Sequence, residues 1–294
     1  MTNAENLHEK YGPGGRDMTL NLKVMVWNIA EGSFDRQLPY HGALPRIADQ
    51  IRAMSPDIVL LNEVHNRTGP LGDGMNQVKD LAARTDLPHY HWGNTTKTGM
   101  TGFKAVAVLS RFPVEAPRVH HVMRGSQRTT YAMLETTVRV GGVALQAISL
   151  RFDKGNLTNN EAGHRQLVDL INRMNPKVPV VVGGDFNADP NTDHMKDFVA
   201  RSGLTDVFSK RPDPGICGSA DTRIDYIFYR GFDDVVRMEQ RCPWETGTEA
   251  SDHAWVYAEV VGEPPNQEPH ILREGGTFYT GDSSRLCLPL PTHV

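Results

Sequence analysis

Short apolar runs alternate with amphipathic stretches along this chain, and the alternation predicts strands and helices in turn. Residues 20–29 (LNLKVMVWNI) predict a first strand, with Asn28 near its end. Residues 41–54 carry Leu44, Ile47, Ile51 and Met54 at helical spacing, and Ser55-Pro56 stops that helix. Residues 57–61 (DIVLL) predict a buried strand closed by Asn62 and Glu63. Residues 66–103 are rich in Gly, Thr, Asn and His, and predict a loop with one short helix at 75–83. Strands follow at 104–110, 131–140 and 143–150, the last two joined by Gly141-Gly142, a hairpin signal. That run leaves no room for crossover helices, so it must pair antiparallel. A helix at 161–174 places Leu167, Leu170, Ile171 and Met174 on one face. Val178–Val182 predicts a buried strand ended by Gly183-Gly184, then a helix at 192–201. Residues 223–229 (RIDYIFY) and 254–261 (AWVYAEVV) predict the last strands. Strands both in hairpins and separated by helices point to two packed sheets with helices outside, one layered α/β domain.

Composition changes this picture little. Three segments are expected: a polar lead-in at 1–18, read as disordered; a domain at 19–262; and a Pro-rich tail at 263–294 without periodicity. The net charge of −4 gives no global signal for nucleic acid or an anionic membrane. No apolar run approaches the ~20 residues that span a bilayer. The N-terminus has no apolar core of a signal peptide. Cys217, Cys242 and Cys287 are scattered, which suggests neither a disulfide framework nor a zinc site, and a cytoplasmic location is the expectation.

Candidate chemistry sits at strand ends. Asp185 and Asn187 follow Gly-Gly at the carboxyl end of an apolar strand, and i, i+2 positions in extended chain point the same way. Asn and Asp after glycines also form turns, so this pair alone decides little. Asn28, Glu63, Asp225, Asp252 and His253 occupy similar places at other strands. Together they make an oxygen-rich set with one imidazole, which suits Mg²⁺ or Mn²⁺ better than zinc. His253 needs an acceptor to fix its tautomer, and Asp225 is the spare carboxylate.

Five segments in order resemble the endonuclease/exonuclease/phosphatase family, the deoxyribonuclease I-like fold. They are Val26-Trp27-Asn28-Ile29, Leu60-Leu61-Asn62-Glu63, Gly183-Gly184-Asp185-Phe186-Asn187, Arg223-Ile224-Asp225-Tyr226-Ile227 and Ser251-Asp252-His253. Ala107-Val108-Leu109-Ser110-Arg111 and His164-Arg165-Gln166 support them. The resemblance covers residues 20–262. It implies a four-layer sandwich, two mixed β-sheets flanked by helices, and metal-dependent hydrolysis of phosphoesters in a nucleic acid or a small phosphorylated molecule. Carried over, Glu63 is the metal ligand, with Asn28 beside it and Asp252 contributing. Asp185 orients or deprotonates the attacking water, and Asn187 donates to the phosphate. His253 stabilises developing charge or acts as acid/base, oriented by Asp225. Asn62, Arg111 and Arg151 are expected on the substrate. The alternative is a family scaffold without phosphoesterase activity, a binding module or altered chemistry on a small molecule.

Two departures stand out. Many members carry a His in a Thr-His-Leu setting before the 161–174 helix, where this chain has Ile148-Ser149-Leu150-Arg151. Ser149 is no general acid near neutral pH, so Arg151 neutralises the phosphate, another group protonates the leaving oxygen, or the leaving group needs no proton. Asn62 stands where Gln is usual. The window 95–130 adds six basic residues (Lys97, Lys104, Arg111, Arg118, Arg124, Arg128) against Glu115, a solvated face or an anionic-substrate rim. Trp92, Phe103 and Tyr131 are candidates for base stacking, or for packing.

Overall fold

Two βαβ crossovers organise the chain. In the computed structural model, which describes residues 19–32, 42–67, 69–71, 73–210, 222–242 and 250–263, β1 (Leu20–Asn28), α1 (Leu44–Met54) and β2 (Ile58–Asn66) form the first. β1 and β2 run parallel, with Asn28 opposite Asn62. The second is β7 (Val143–Arg151), α3 (Leu157–Arg173) and β8 (Val180–Asp185), again parallel, with Arg151 opposite Asp185. The expected lead-in at 1–18 and all but the first residue of the expected tail lie outside the described residues.

Each parallel pair grows outward by antiparallel strands. The first sheet adds β3 (His89–Thr98), β4 (Gly102–Ser110), β11 (Asp234–Arg241) and β12 (Trp255–Gly262), in the order β11-β12-β1-β2-β4-β3. The second adds β5 (Val114–Arg124), β6 (Gln127–Val140), β9 (Thr205–Asp206) and β10 (Asp225–Arg230), in the order β5-β6-β7-β8-β10-β9. Both sheets share one pattern of directions, a repeat invisible in the sequence. Helices α2 (Gln77–Arg84) and α4 (Asp193–Ser202) complete the outer layers.

Alternation along the strands sorts side chains into three apolar interfaces. Val24 and Val26 of β1 face inward and meet Leu134, Leu145 and Val181 between the sheets. Met25 and Trp27, one step out of phase, face outward onto Leu44, Ile47, Ile51 and Leu81 of α1 and α2. On the far side Ile148, Leu150, Val182 and Phe228 pack on Leu167, Ile171, Met195 and Phe198 of α3 and α4. Three interfaces make four layers. Each such side chain contributes roughly 1.5–3 kcal/mol on full burial.

Several expectations need correction. Residues 89–98, expected as loop, form β3, and β5, β9 and β11 were not anticipated. All four are sheet edges, half exposed, where alternation is weakest. α3 begins at Leu157, four residues early, because the Asn156 side chain accepts from the Asn159 N–H and caps it. Gly183 and Gly184 do not end β8 but lie inside it. A Cβ on Gly183 would meet Val26 Cγ2 at 2.3 Å, and one on Gly184 would meet the Leu150 carbonyl oxygen at 1.9 Å. Cys242 is disulfide-bonded. Scattered spacing could not reveal that bridge, and it removes the cysteine argument for a reducing compartment. No described helix is long and apolar enough to cross a membrane.

Candidate active site

The site lies at the carboxyl ends of both parallel pairs, where the two sheets come together. The glycines of β8 permit that approach. Ser251 fastens the last segment here: its Oγ donates to the Asn28 carbonyl oxygen at 2.5 Å and accepts the His253 N–H at 3.1 Å. The Trp27 indole N–H donates to the His253 carbonyl oxygen at 3.1 Å. His253 is thereby fixed against the end of β1.

Asn28 joins three groups. Its Nδ2 donates to Glu63 Oε1 and to Asp185 Oδ2, each at 3.1 Å, and stands 3.4 Å from His253 Nε2. Its Oδ1 accepts the Ala30 N–H, which sets the amide's orientation. Glu63 reaches the cleft through backbone distortion. It sits in a bulge between β2 and β4 with φ of 49°, a left-handed conformation that a non-glycine residue rarely adopts. Strain of that kind is held where the surrounding structure over-determines it, and such positions cluster at functional sites.

The carboxylates differ sharply. Burial alone would raise Glu63, but Arg151 Nη2 at 2.8 Å from Oε1 and Lys104 Nζ at 3.2 Å from Oε2 outweigh it and hold the acid at about 2. Lys104 also pairs with Glu31, and these two acids raise it against its own desolvation. Asp185 is 1% exposed. Burial dominates there and, with the charge of Asp225, pushes it up to about 6 against the opposing pull of His253. Asp225 Oδ2 is 2.8 Å from His253 Nδ1. Burial would push this imidazole down, but Asp225 and Asp185 outweigh it and raise it to about 10. His253 is therefore charged near neutral pH, with Nδ1–H donating to Asp225. The contact of its Nε2–H at hydrogen-bond range is the Asn28 amide nitrogen, at 3.4 Å, which is no acceptor. Arg151 has a matching loose end: its Nε–H is buried without a hydrogen-bond acceptor, 3.6 Å from Asp185 Oδ2.

Not every expected residue takes its expected place. Asn187 has φ of 48° and donates from Nδ2 to the Phe152 carbonyl oxygen at 2.9 Å, which commits one amide hydrogen to the fold. Its N–H caps Asp185 Oδ1 at 3.0 Å. Asn62, expected on the substrate, is fully buried. Its Nδ2 donates to the Leu150 carbonyl oxygen at 2.7 Å and its Oδ1 accepts the Asp185 N–H at 3.1 Å, so it clamps the sheets together. Arg111 is far from the site, beside Asp57 at the opposite end of β2, where Ile58 pairs with Ser110. Asp252 is half-buried and acts through its charge on His253.

The departure read at Ser149 belongs to Arg151. Ser149 is fully buried and donates to the Leu61 carbonyl oxygen at 3.0 Å, deep between the sheets. Arg151, two residues on along the same face, is the β7 side chain that reaches the cleft, stacked 5.4 Å above the Tyr131 ring centroid. Glu31 was missed, and Lys104 was read only as one of six basic residues in the 95–130 window, not as a partner of Glu63. Lys104 shares an alternation phase with Val106 and Val108 of the inter-sheet core, so strand phase could have found it. Trp92 is partly buried, packs against the helix-side core and stacks on Tyr90, which supports the packing reading.

A profile of the Endonuclease/Exonuclease/phosphatase family matches residues 25–253, which spans the site from Asn28 to His253. The chain belongs to this family. It is 25% identical over 259 residues to the uncharacterised protein YbhP of Escherichia coli K12, covering 82% of this chain and 96% of YbhP. Among solved structures it is similar to an endonuclease/exonuclease/phosphatase of Beutenbergia cavernae, at 26% identity and a TM-score of 0.68 over 83% of this chain and 72% of that one. It also shares its fold with a mannosyl-6-phosphatase of Bacteroides thetaiotaomicron, at 17% identity and a TM-score of 0.62 over 81% and 99% of the two chains. Members of the family include phosphatases and nucleases.

The family typically uses divalent metals, and the donors here fit a hard ion. Glu63 is ionised, faces the cleft and is only partly exposed. Asp185, Asp225 and His253 bring three potential ligand atoms within 4.8 Å of one another. Glu63 suits a hard ion better, since His253 Nδ1 is committed to Asp225 and the charged ring offers no lone pair, while Asn28 turns its Nδ2–H toward Glu63 and its Oδ1 toward the Ala30 N–H and so positions that carboxylate.

Proposed function

We propose that this chain hydrolyses phosphoesters with the help of a divalent metal, Mg²⁺ or Mn²⁺, held by Glu63, whose carboxylate the Asn28 amide positions. The carrying observation is a pair of cationic donors, His253 Nε2–H and Arg151 Nε–H, that lack acceptors and flank the Asp185 carboxylate. Two such donors around one buried base make a cradle for a phosphoryl group beside a water. Asp185, raised toward neutrality, takes the proton of that water. Asn187 orients Asp185 through its N–H. His253, held by Asp225, donates to a non-bridging oxygen as negative charge grows. Arg151 stays charged, so it meets the phosphoryl group as a charge and a planar donor, never as an acid. A bound hard ion polarises a phosphoryl oxygen and offsets charge on the attacking and leaving oxygens.

The β3–β4 and β5–β6 turns extend past the cleft, since Lys104 pairs with His65 beyond Glu63 and Ala132 pairs with Arg151. Lys97, Lys104, Arg124 and Arg128 lie on these hairpins, which supports an anionic substrate, a nucleic acid or a small phosphorylated molecule. Arg111 and Arg118, paired with Asp57 and opposite Glu135, belong elsewhere.

The test is hydrolysis of bis(p-nitrophenyl) phosphate, p-nitrophenyl phosphate and supercoiled plasmid with Mg²⁺, Mn²⁺ or EDTA. Metal-dependent turnover lost in Asp185→Asn and His253→Ala supports the reading. Nicked plasmid makes the chain a nuclease, and turnover of small esters with intact plasmid makes it a metabolite phosphoesterase. No turnover of any, with metal still binding, favours a scaffold without phosphoesterase activity.

A further inference from the structure

Behind the second sheet, α3 and α4 flank an open pocket of about 270 Å³ that the cleft chemistry does not use. Glu161 and His164 stand three residues apart on α3, and His194 and Asp197 three apart on α4, and all four line it. At that spacing each helix offers one carboxylate and one imidazole on a single face. Such carboxylate–histidine pairs on facing helices are a recurrent way of holding metal ions.

His164 carries the strongest signal. It is 2% exposed, and its Nδ1 lies 3.0 Å from the Asn160 carbonyl oxygen. A carbonyl only accepts, so Nδ1 bears the hydrogen and Nε2 presents a bare lone pair. That Nε2 is buried and has no hydrogen-bond partner. An imidazole whose Nδ1–H is fixed on a backbone carbonyl, with Nε2 free, is in the state a metal-ligating histidine adopts. Burial also lowers this group to about 4, so it is neutral near pH 7. The His194 ring lies beside it, with centroids 4.9 Å apart and planes at 74°. Two imidazoles on one tetrahedral ion, each at about 2.0–2.1 Å, put their centroids roughly 5 Å apart. His194 Nε2 has only a 3.5 Å approach to Thr192 Oγ1.

The carboxylates are available. Glu161 pairs with Arg165 at 3.5 Å and Asp197 with Arg201 at 3.1 Å, both solvent-exposed, and exposed pairs of this kind exchange at little cost. The four donors are not yet convergent: among the described residues the set within 4.8 Å is the one in the cleft. Convergence takes side-chain rotation, that of Glu161 and Asp197 at the pocket rim included.

We propose that α3 and α4 form a zinc site, with nitrogen ligands from His164 and His194 and oxygen ligands from Glu161 and Asp197. Two imidazoles and two carboxylates match Zn²⁺ better than the hard ions suited to the cleft. The position matters for the fold. Asn160, whose carbonyl holds His164, donates from Nδ2 to the carbonyl oxygens of Asp153, Phe186 and Asn187. Zinc bound here braces the segment that follows Asp185. The inference does not rest on the phosphoesterase reading.

The experiment titrates metal-free full-length protein with Co²⁺, read by visible absorption of the four-coordinate ion, and with Zn²⁺ against a chromophoric chelator. Wild type and the cleft variant Glu63→Gln are expected to show the same four-coordinate Co²⁺ spectrum and the same tight Zn²⁺ site. His164→Gln and His194→Ala should lose the spectrum and weaken Zn²⁺ by more than about 100-fold, the upper range for losing an outer-shell partner alone. His194 is only half-buried, so His194→Ala keeps the fold even where His164→Gln does not, and circular dichroism checks both. A spectrum that survives His194→Ala, one lost in Glu63→Gln, or no Zn²⁺ binding by wild type overturns the proposal.

Discussion

The two βαβ units are built alike and end unlike. In the first, Asn28 faces Asn62, two neutral amides in register. In the second, at the equivalent place, Arg151 faces Asp185, two charges in register. The first unit supplies its carboxylate one residue later, at Glu63, through a left-handed bulge that carries it out to two cations. The second keeps its carboxylate on the ladder, fully buried. Glu63 is held down at about 2 and Asp185 raised to about 6. One frame thus holds two carboxylates at widely separated pKa values, which fits the proposed split between a permanent anion and a proton carrier.

Removing each carboxylate breaks the comparison most directly. Asp185→Asn should lower kcat by about 10³-fold, within the range for a general base, with metal affinity little changed. Glu63→Gln should instead weaken Mn²⁺ binding, measured by calorimetry, with kcat partly recovered at saturating metal. Equal losses of kcat at saturating metal, with unchanged metal affinity in both, would show that the two acids do one job. Asp225→Asn comes next. It leaves the His253 ring in place but withdraws the charge that keeps it protonated, so kcat should fall about 10²-fold, comparable with losing one oxyanion donor.

The pH profile sharpens the contrast, and its sign follows from the base. In its proposed role as base Asp185 works ionised, so the rate should rise with pH through its raised pKa and then level off. Arg151 lowers that pKa and Glu63 raises it. At saturating metal, Arg151→Ala should therefore move the acid limb to higher pH, and Glu63→Gln to lower pH. Shifts of the same sign in both variants would mean that another group controls the limb.

The same contrast between buried and exposed surroundings decides what the sequence revealed. Strands covered on both faces showed themselves as apolar runs, and their ends carried Asn28, Glu63, Asp185, Asp225 and His253 to one place. The edge strands β3, β5, β9 and β11 did not, because half-exposed residues follow no strict alternation. Site residues were legible where an apolar strand ended in a polar group. Asn62 also ends such a run, yet its amide is spent between the sheets, and no one-dimensional pattern tells a clamp from a ligand. Glu31 stayed hidden, and Lys104 showed only as local basic charge, because their meaning lies in pairing with Glu63 and with each other. Arg111 misled because local basic charge carries no information about which end of a sheet it occupies.

The smallest expected effect separates two residues on one face of β7. Ser149 takes part in the fold alone: its hydroxyl bridges Leu61 and Asn62 across the sheets, with no cleft exposure. Ser149→Ala leaves a buried carbonyl without its donor, so it should cost about 1–3 kcal/mol in denaturant unfolding and leave kcat within about twofold. Arg151→His, two residues along, should keep the fold and change the rate, because it exchanges a fixed charge for a group that can give up a proton. Gains on alkyl esters larger than on aryl esters would show that the leaving oxygen lacks a proton donor in the wild type. Equal change on both would place Arg151 on the non-bridging oxygens. Should Ser149→Ala instead slow turnover with stability intact, the assignment of the cleft position on this strand to Arg151 fails.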